Sequence, residues 1–386
     1  MLPLDVCGPC LRRTHLLGLV ATRIERAGRG RAAFGGLLAL EDEDLVAALG
    51  ARNDRAIHLA REAFEPDSAC DAIIAAGLGA VCRHGSWYPT PLLDLEDAPV
   101  VLHVAGDPGL LADLSVDDGR LTAVAVVGAR RATPYGLDVA RVLGRGLAAA
   151  GITVVSGMAL GIDSAAHAGA LEAPGPTIAV LAGGADRPYP ASKRALYRRI
   201  TAAGCVVSEL PPGTGIMKWA FPARNRIIAG LASATVVVEA QERSGSLITA
   251  EIAADLGRHI GAVPGPVTGP RSAGTNALLH DGAAVVRDVR DALELTAIDV
   301  PVSFRRPISR PPADVMPARP AMPPPPADPE LRRALQAVDD GATSPGRLAR
   351  VFDGDVARAA VALTRLELAG LLRRDLDGSY ARRAGR

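Results

Sequence analysis

Residues 122–136 read TAVAVVGARRATPYG. A run of small and β-branched residues, 122–127, is followed by a glycine turn and then by Thr133 and Pro134, a helix cap with proline in the first turn. A buried strand that leads through a short turn into a helix is the repeating unit of parallel α/β sheets. The stretch therefore predicts the first strand and helix of such a sheet.

The same alternation continues to residue 298. Near-continuous apolar strands separated by helices indicate a sheet that is covered on both faces. We therefore predict an α/β fold, a Rossmann-like doubly wound parallel sheet. Further strands are predicted at 152–156, 177–182, 205–210, 235–240, 259–263 and 283–286, and helices at 134–150, 164–173, 192–203, 223–232, 247–256 and near Asn276.

A helical region precedes this sheet. Residues 1–83 contain helical patterns, such as 43–49 and 54–64, and are predicted to form a helical, SAM-like domain. Residues 84–107 alternate prolines with short apolar runs, which indicates an extended lead-in of strands and turns. We place the Rossmann-like domain, with this lead-in, at 84–298.

Two further regions follow the sheet. Residues 299–329 are predicted to form an extended linker, because 301–329 contain 11 prolines. Residues 330–386 show three helix patterns and then two short strands around Asp377–Gly378, the arrangement of a winged helix. Such a domain would contact duplex DNA through the helix that carries Arg358 and Arg365, or would serve as an interaction or spacer module.

Composition limits the class of partner without deciding it. The 386 residues exceed what one core accommodates, and 48% hydrophobic with 22% charged residues is typical of globular domains. Residues 1–120 carry 11 basic and 18 acidic side chains, whereas 121–300 carry 17 and 14, and 301–386 carry 15 and 10. A polyanionic partner is therefore permitted for the last two regions, although the overall net charge of +1 does not require one.

The sequence shows no apolar run long enough for a membrane helix and no secretion signal, so we expect a cytoplasmic protein without membrane contact. Five cysteines fit a reducing compartment better than a disulfide framework. Cys7 and Cys10 form the motif CGPC, but residues 1–6 cannot supply the strand that a thioredoxin-like redox site needs. A zinc site would need two more ligands at suitable spacing, so we expect no metal site.

Ligands of parallel sheets bind beyond the carboxyl ends of the strands, and the loops there are informative. Gly128 lets the backbone approach an anion, Arg130 supplies a charge for phosphate, and Gly157 opens the second loop. Three such glycine-rich loops, the third at 182–190, indicate a nucleotide or a polynucleotide backbone. The GxGxxG fingerprint and the GxxxxGK[ST] loop are both absent from the sequence, so we expect no nicotinamide or ATP chemistry and no cofactor.

The fourth and fifth loops favour single-stranded nucleic acid. Aromatic side chains offer a face for base stacking, and interleaved cations bind phosphates. The alternative is that the aromatic residues anchor the loop in the core and that Arg226 lies on a helix surface. In the fifth loop, Ser244, Gly245 and Ser246 form a cradle of small residues for an anion at a helix start. The fourth loop concentrates Lys218, Trp219, Phe221, Arg224, Asn225 and Arg226.

These motifs together resemble the DprA (Smf) family of DNA-processing proteins. The resemblance covers nearly all of 84–298, and the order and spacing of the motifs carry it. Position 129 is alanine where the family pattern VGSR has serine. The motifs are VGARRATPYG, SGMALGIDSAAH, TIAVLAGG, SELPPGT, FPARNRIIAGL and VVVEAQERSGSLITAE, followed by AVPG at 262–265.

The resemblance implies a non-enzymatic protein that binds single-stranded DNA, forms a homodimer and loads the RecA recombinase during natural transformation. By motif match, Arg130 and Arg224 would bind phosphates, with Lys218 beside them, and Phe221 would contact a base. Residues 276–286 would carry the dimer contacts. The implied DNA-binding set is Gly128, Arg130, Gly157, Lys218, Phe221, Arg224, Asn225, Arg226, Ser244, Gly245, Ser246 and, more weakly, Arg258.

Two other functions stay open at this point. The segment SGSLITAE is similar to the PGGxGTxxE loop of nucleoside monophosphate phosphoribohydrolases, in which Glu251 would assist glycosidic-bond hydrolysis. The double-glycine phosphate turn of those enzymes is missing, and a mononucleotide pocket does not need the basic fourth loop. The second alternative is a scaffold protein whose winged helix binds duplex DNA while the central fold only dimerises.

Overall fold

The computed structural model describes residues 2–27, 36–114, 122–173, 175–296, 326–340, 342–374 and 379–382. Contacts group the chain into two compact units, Met1–Arg305 and Arg306–Arg386. The first unit contains one large sheet, whose strands are β1 Leu4–Asp5, β2 Gly79–Cys82, β3 Val101–Gly106, β4 Ala123–Val127, β5 Thr153–Ser156, β6 Thr177–Val180, β7 Cys205–Ser208, β8 Ala234–Val237, β9 His259–Ala262 and β10 Ala284–Val285.

The helices of the first unit alternate with the strands from β4 onward, as the sequence predicts. Helical residues also occur at 36–39, and short 3₁₀ turns at Thr90–Asp94 and Ala191–Lys193. The α-helices are α1 Gly8–Ala27, α2 Asp42–Ala48, α3 Arg55–Glu62, α4 Pro66–Ala75, α5 Gly109–Ala112, α6 Pro134–Ala149, α7 Ile162–Ala170, α8 Arg194–Ala203, α9 Ala220–Gly230, α10 Gly245–Asp255, α11 Ala273–His280 and α12 Val289–Glu294.

The strand order of the sheet is β1-β2-β3-β7-β6-β5-β4-β8-β9-β10. All seven strands from β4 to β10 run parallel, with β4 between β5 and β8. Two buried clusters cover opposite faces of the sheet: Val127, Val155 and Val207 belong to one, and Val124, Val126 and Val154 to the other. This alternation along β4 and β5 confirms the predicted sheet with apolar cover on both sides.

The strands β1, β2 and β3 extend the sheet beyond β7. β3 pairs antiparallel with both β7 and β2, and β1 pairs parallel with β2. Neither β1 nor β2 is predicted from the sequence, since both lie in the region assigned to helices. Two of the three added strands thus come from residues 1–83, and the proposed domain boundary at 83 stays a prediction.

The N-terminal helices pack on the loop that precedes α9. Val20 and Ile24 of α1 share a buried cluster with Leu210 and Trp219, and Trp219 is only 2% exposed. The backbone N–H of Trp219 also donates to Glu25 Oε2 at 3.0 Å. Trp219 is therefore a core residue, and it fixes the loop from which α9 starts.

In its described residues, the second unit contains three helices and two antiparallel strands around its own core. The strands pair Arg373 with Ala381, while the turn Asp377–Gly378 lies outside the described residues. Leu335, Leu348 and Leu363 are buried together. The elements are α13 Pro329–Asp339, α14 Pro345–Leu348 with a 3₁₀ turn at Ala349–Phe352, α15 Val356–Leu368, β11 Leu372–Arg374 and β12 Tyr380–Arg382.

Candidate functional site

The sheet reverses its winding direction at β4. The strands β5, β6 and β7 follow on one side of β4, whereas β8, β9 and β10 lie on the other. The loops that leave the carboxyl ends of β4 and β8 therefore diverge and open a crevice, as they do in other doubly wound sheets. A cleft of about 420 Å³ lies there, between the β4 loop, the β8 loop and α9.

Eight of the twelve predicted DNA-binding residues line this cleft. A ninth, Gly157, lines an adjoining cavity of about 60 Å³, which shares Arg130, Phe221 and Arg224 with the cleft. Lys218, Arg226 and Arg258 line neither. The eight residues of the main cleft are Gly128, Arg130, Phe221, Arg224, Asn225, Ser244, Gly245 and Ser246.

Glu239 holds the β4 loop in place from the end of β8. Its side chain accepts hydrogen bonds from the backbone N–H of Thr133, at 2.8 Å, and from the Thr133 hydroxyl, while its carbonyl accepts from Ala129 N–H at 2.7 Å. Thr133 in turn caps α6. Gly128 is required here, because a Cβ would lie 2.7 Å from Ile162 and 2.9 Å from the Glu239 carbonyl. Arg130 is thus presented from a rigid loop.

Arg130 and Phe221 form the exposed wall of the cleft. The guanidinium of Arg130 lies over the Phe221 ring, 4.7 Å from its centroid, and Tyr189 approaches the same ring at 5.9 Å. Within the described residues Arg130 makes no ion pair, and its side chain is exposed. A cation on an aromatic face is held weakly when it is solvated, so Arg130 can turn toward an anion at low cost.

Arg224 lies on the floor of the cleft. It is 7% exposed, its Nη1 donates to the carbonyl of Val180 at 2.7 Å, and its Nη2 lies 3.9 Å from Asp163 Oδ2. Burial lowers the pKa of the Arg224 guanidinium and raises the pKa of the Asp163 carboxyl. Gly157 packs directly on Arg224, since a Cβ at Gly157 would fall 1.4 Å from Nη1. Its backbone N–H donates to Asp163 at 3.2 Å.

The third side of the cleft is the start of α10. Ser244 caps this helix, accepting from Ser246 N–H at 3.4 Å, and the two hydroxyls lie 2.8 Å apart. Asn225 Nδ2 donates to the carbonyl of Gly245 at 3.2 Å and so ties α9 to this turn. The free N–H groups and positive end of an eleven-residue helix favour an anion at this position.

Two of the predicted arginines have another role. Arg226 is 5% exposed, donating from Nε to Asp97 at 2.8 Å and from Nη2 to Glu209 at 2.7 Å. It lies neither in the cleft nor on a helix surface. Arg258 precedes β9, at the amino end of that strand and therefore at the edge opposite the cleft, where it pairs with Asp94 at 2.6 Å. Lys218 is exposed on the loop before α9.

Sequence patterns alone do not indicate the roles of Asp163 and Glu239. Asp163 follows the start of α7 but does not cap it, because the N-cap is Gly161, and Asp163 instead faces Gly157 and Arg224. For Glu239 the available signal is its position just after β8, because a carboxylate there faces the backbone N–H groups of the neighbouring β4 loop.

The cleft therefore combines two arginines, a helix start and an aromatic ring. Of the described residues that line it, Asp163 alone carries a carboxylate, and Asp163 is 5% exposed and faces Arg224. Among the described residues, no helix is long and apolar enough to cross a bilayer.

Fold and cleft define a doubly wound α/β protein with a crevice at the point where the winding of its sheet reverses. A family model for DNA recombination-mediator protein A matches residues 80–297. This chain belongs to that family, as the sequence motifs predict.

Individual relatives agree with this assignment. The chain is 48% identical over 197 residues to a DNA processing protein DprA of Mycobacterium tuberculosis, a match that covers 51% of this chain and 49% of that protein. It is 33% identical over 326 residues to Protein Smf of Synechocystis, covering 77% and 78%. The chain thus spans about half the length of the mycobacterial relative. The X-ray structure of DprA from Streptococcus pneumoniae superposes with a TM-score of 0.59 at 31% identity, covering 75% of this chain and 98% of that one.

Proposed function

We propose that this chain binds single-stranded DNA along the cleft at the carboxyl edge of the sheet and breaks no bond in it. The observation that carries the proposal is the pair of exposed Arg130 and half-buried Phe221, which lies opposite the start of α10. The pair offers a cation for phosphate and an aromatic face for a base within one cleft. That combination suits an unpaired strand, because the bases of a duplex are stacked on each other.

Each wall of the cleft has its own part in this binding. The start of α10, with the Gly245 N–H and the hydroxyls of Ser244 and Ser246, would receive one phosphate, and Arg130 would leave the Phe221 ring to bind the next. A base would then stack on the exposed face of Phe221. Arg224 is already hydrogen-bonded to the main chain, so it contributes a fixed positive charge beneath the strand rather than a mobile contact.

The phosphoribohydrolase alternative finds less support. Its catalytic carboxylate would be Glu251, which lies two turns into α10 on an exposed position and is not among the residues that line the cleft. The one lining carboxylate, Asp163, is held against Arg224. Incubation with AMP tests the alternative directly: release of adenine that Glu251→Ala abolishes would establish hydrolysis and overturn the binding-only proposal.

We further propose, from family membership, that the protein acts in the cytoplasm during natural transformation, protects incoming strands and loads RecA on them. A homodimer through residues 276–286 is part of this proposal. Support for that surface is the edge position of β10 in the sheet and the 50% exposure of Val285. Asn276 itself is used internally, since its side chain bonds both backbone groups of Gly265.

The C-terminal unit is the remaining candidate for DNA contact. Arg358 and Arg365, the residues expected to approach a duplex, pair with Glu330 and Asp328 respectively. Both pairs are on the surface, where ion pairs are weak, and duplex contact by this unit stays a prediction. The central cleft is the better candidate for the single strand.

The deciding experiment compares single-stranded and double-stranded oligonucleotides of equal length with the full chain, across a salt series. We expect tighter binding of the single strand, with an affinity that falls as salt rises because cations on phosphates release counterions. Equal affinity for both forms, unchanged by Phe221→Ala, would assign binding to the C-terminal unit instead. A RecA nucleation assay on protein-coated single strands, with and without this chain, tests the loading step.

A further inference from the structure

Four potential metal ligands meet on the side of the sheet where β1 and β2 end. Cys7, Cys10, Cys82 and His84 place their three sulfur atoms and one ring nitrogen within 4.8 Å of one another. Cys10 and Cys82 are buried, Cys7 is half-buried, and all three are free thiols. The sequence alone predicts no metal site, because only Cys7 and Cys10 are neighbours in the chain and their partners are more than 70 positions away.

The sheet register explains why these residues meet. β1 pairs with β2 so that Asp5 lies opposite Val81, which places Cys7, two residues beyond β1, next to Cys82 at the end of β2. Cys10 is in the first turn of α1, which begins directly after Cys7. His84 follows Cys82 in a turn closed by a bond from Gly85 N–H to the carbonyl of Cys82 at 2.7 Å.

The distances fit a tetrahedral ion. His84 Nδ1 lies 3.4 Å from Cys7 Sγ and 3.3 Å from Cys10 Sγ, and the sulfur atoms of Cys7 and Cys82 are 4.0 Å apart. Bond lengths of zinc to sulfur and to nitrogen set ligand-to-ligand distances of about 3.6 to 3.8 Å in a tetrahedron. The ring nitrogen of His84 faces two sulfur atoms at once, as it would if all three bound one metal ion.

We propose that Cys7, Cys10, Cys82 and His84 bind one zinc ion as a structural site that fastens β1 and α1 to the end of β2. Three thiolates and one imidazole complete the coordination, which leaves no position for a substrate. Binding releases the three thiol protons to solvent, and neutral His84 donates the lone pair of Nδ1. β1 is only two residues long, so linking Cys7 and Cys10 to residues 72 to 77 positions further along the chain holds the N-terminus on the sheet edge.

Metal content of the full chain tests the site. The protein is purified under reducing conditions without a metal affinity column, and its metals are measured by mass spectrometry. We expect about one zinc per chain, lost almost completely in Cys7→Ser and in Cys82→Ser. Cys70→Ser is the matched control, since Cys70 is a half-buried free thiol on α4 outside the cluster, and it should keep the zinc.

A second measurement avoids variants that fail to fold. Wild-type protein stripped by a chelator should show a lower Tm that added zinc restores, and cobalt(II) should give the strong visible bands of a tetrahedral thiolate site. Substoichiometric zinc with no cobalt spectrum in the reduced protein would overturn the proposal. So would a Cys7–Cys10 disulfide in the purified chain, or iron with sulfide in place of zinc. None of these outcomes depends on DNA binding.

Discussion

The β4 loop and the helix α9 both bring arginine to the centre of the molecule, but the two regions use it differently. On the β4 loop, Arg130 is exposed, its guanidinium lies over the Phe221 ring, and within the described residues it makes no ion pair. On α9, Arg226 is buried between Asp97 and Glu209, and Arg224 is buried against a carbonyl and Asp163. A positive charge is available to a ligand only where the fold has not already neutralised it, so motif membership alone does not identify a DNA contact.

The largest expected effect is on the free energy of unfolding, at the buried arginine Arg226 of α9. Arg226→Ala leaves Asp97 and Glu209 buried without their cation, and breaking a buried pair from one side costs about 3 to 5 kcal/mol. Denaturant unfolding should show this loss in the free energy of unfolding. The folded fraction should bind single-stranded DNA with nearly unchanged affinity, because Arg226 does not line the cleft.

Arg258→Ala is the matched control for that measurement. Its pair with Asp94 is more exposed, with 20% and 56% of the two side chains accessible, so its loss should cost less than about 1 kcal/mol. Suppose that Arg226→Ala cost no more stability than Arg258→Ala and also abolished DNA binding. The distinction between arginines neutralised within the fold and arginines free to bind DNA would then be wrong.

Arg224→Ala should affect both stability and binding. Removing the guanidinium leaves the Val180 carbonyl without this hydrogen-bond donor, which lowers the free energy of unfolding by about 1 to 3 kcal/mol. Asp163 limits the damage, since burial already raises the pKa of its carboxyl and loss of Arg224 raises that pKa further. A carboxyl with a raised pKa in the folded state binds its proton more tightly there than in the unfolded chain, so it destabilises the fold as pH rises.

The deficit of Arg224→Ala should therefore shrink as pH falls from 7 to 5. Unfolding curves for the variant and the wild type at both values measure it. The control makes Arg224→Ala in the Asp163→Asn protein and compares it with Asp163→Asn alone. The amide does not titrate, so the loss of stability should then not depend on pH. A deficit that grows on acidification would show that Asp163 is not the group responsible.

The contrast between these arginines also shows where prediction from sequence ends. The parallel strands β4 to β10 were predictable, because each is a short apolar run between helix patterns and every such signal is local. Gly128, Arg130 and Ser244 could be assigned to the cleft for the same reason, since strand ends locate them. The partners of Arg226 come from residues 97 and 209, and those of Cys7 from 82 and 84. Such contacts depend on how β1, β2 and β3 join the sheet, which no local pattern encodes.

Phe221→Ala tests the aromatic member of the Arg130–Phe221 pair. If a base stacks on this ring, affinity for single-stranded DNA should fall by about 1 to 3 kcal/mol, with little change in the salt dependence. Fluorescence anisotropy with oligonucleotides of several sequences measures both. Phe221→Leu separates stacking from packing, because leucine keeps contact with the buried cluster around Trp219 but has no aromatic face. Equal affinity of Phe221→Leu and wild type would rule out stacking on this residue.

Arg130→Ala should have the smallest effect on stability and a specific effect on binding. Because Arg130 makes no ion pair within the described residues, its loss leaves no buried group unsatisfied, and the free energy of unfolding should change by less than about 0.5 kcal/mol. If it binds a phosphate, affinity should fall about equally for all sequences, and the slope of log K against log salt should flatten by about 1. Arg131→Ala, at the neighbouring exposed position outside the cleft, should leave that slope nearly unchanged. The same small change in slope for both variants would mean that the positive charge of Arg130 acts only through the overall electrostatic field of the protein. Arg130 would then make no direct contact with a phosphate.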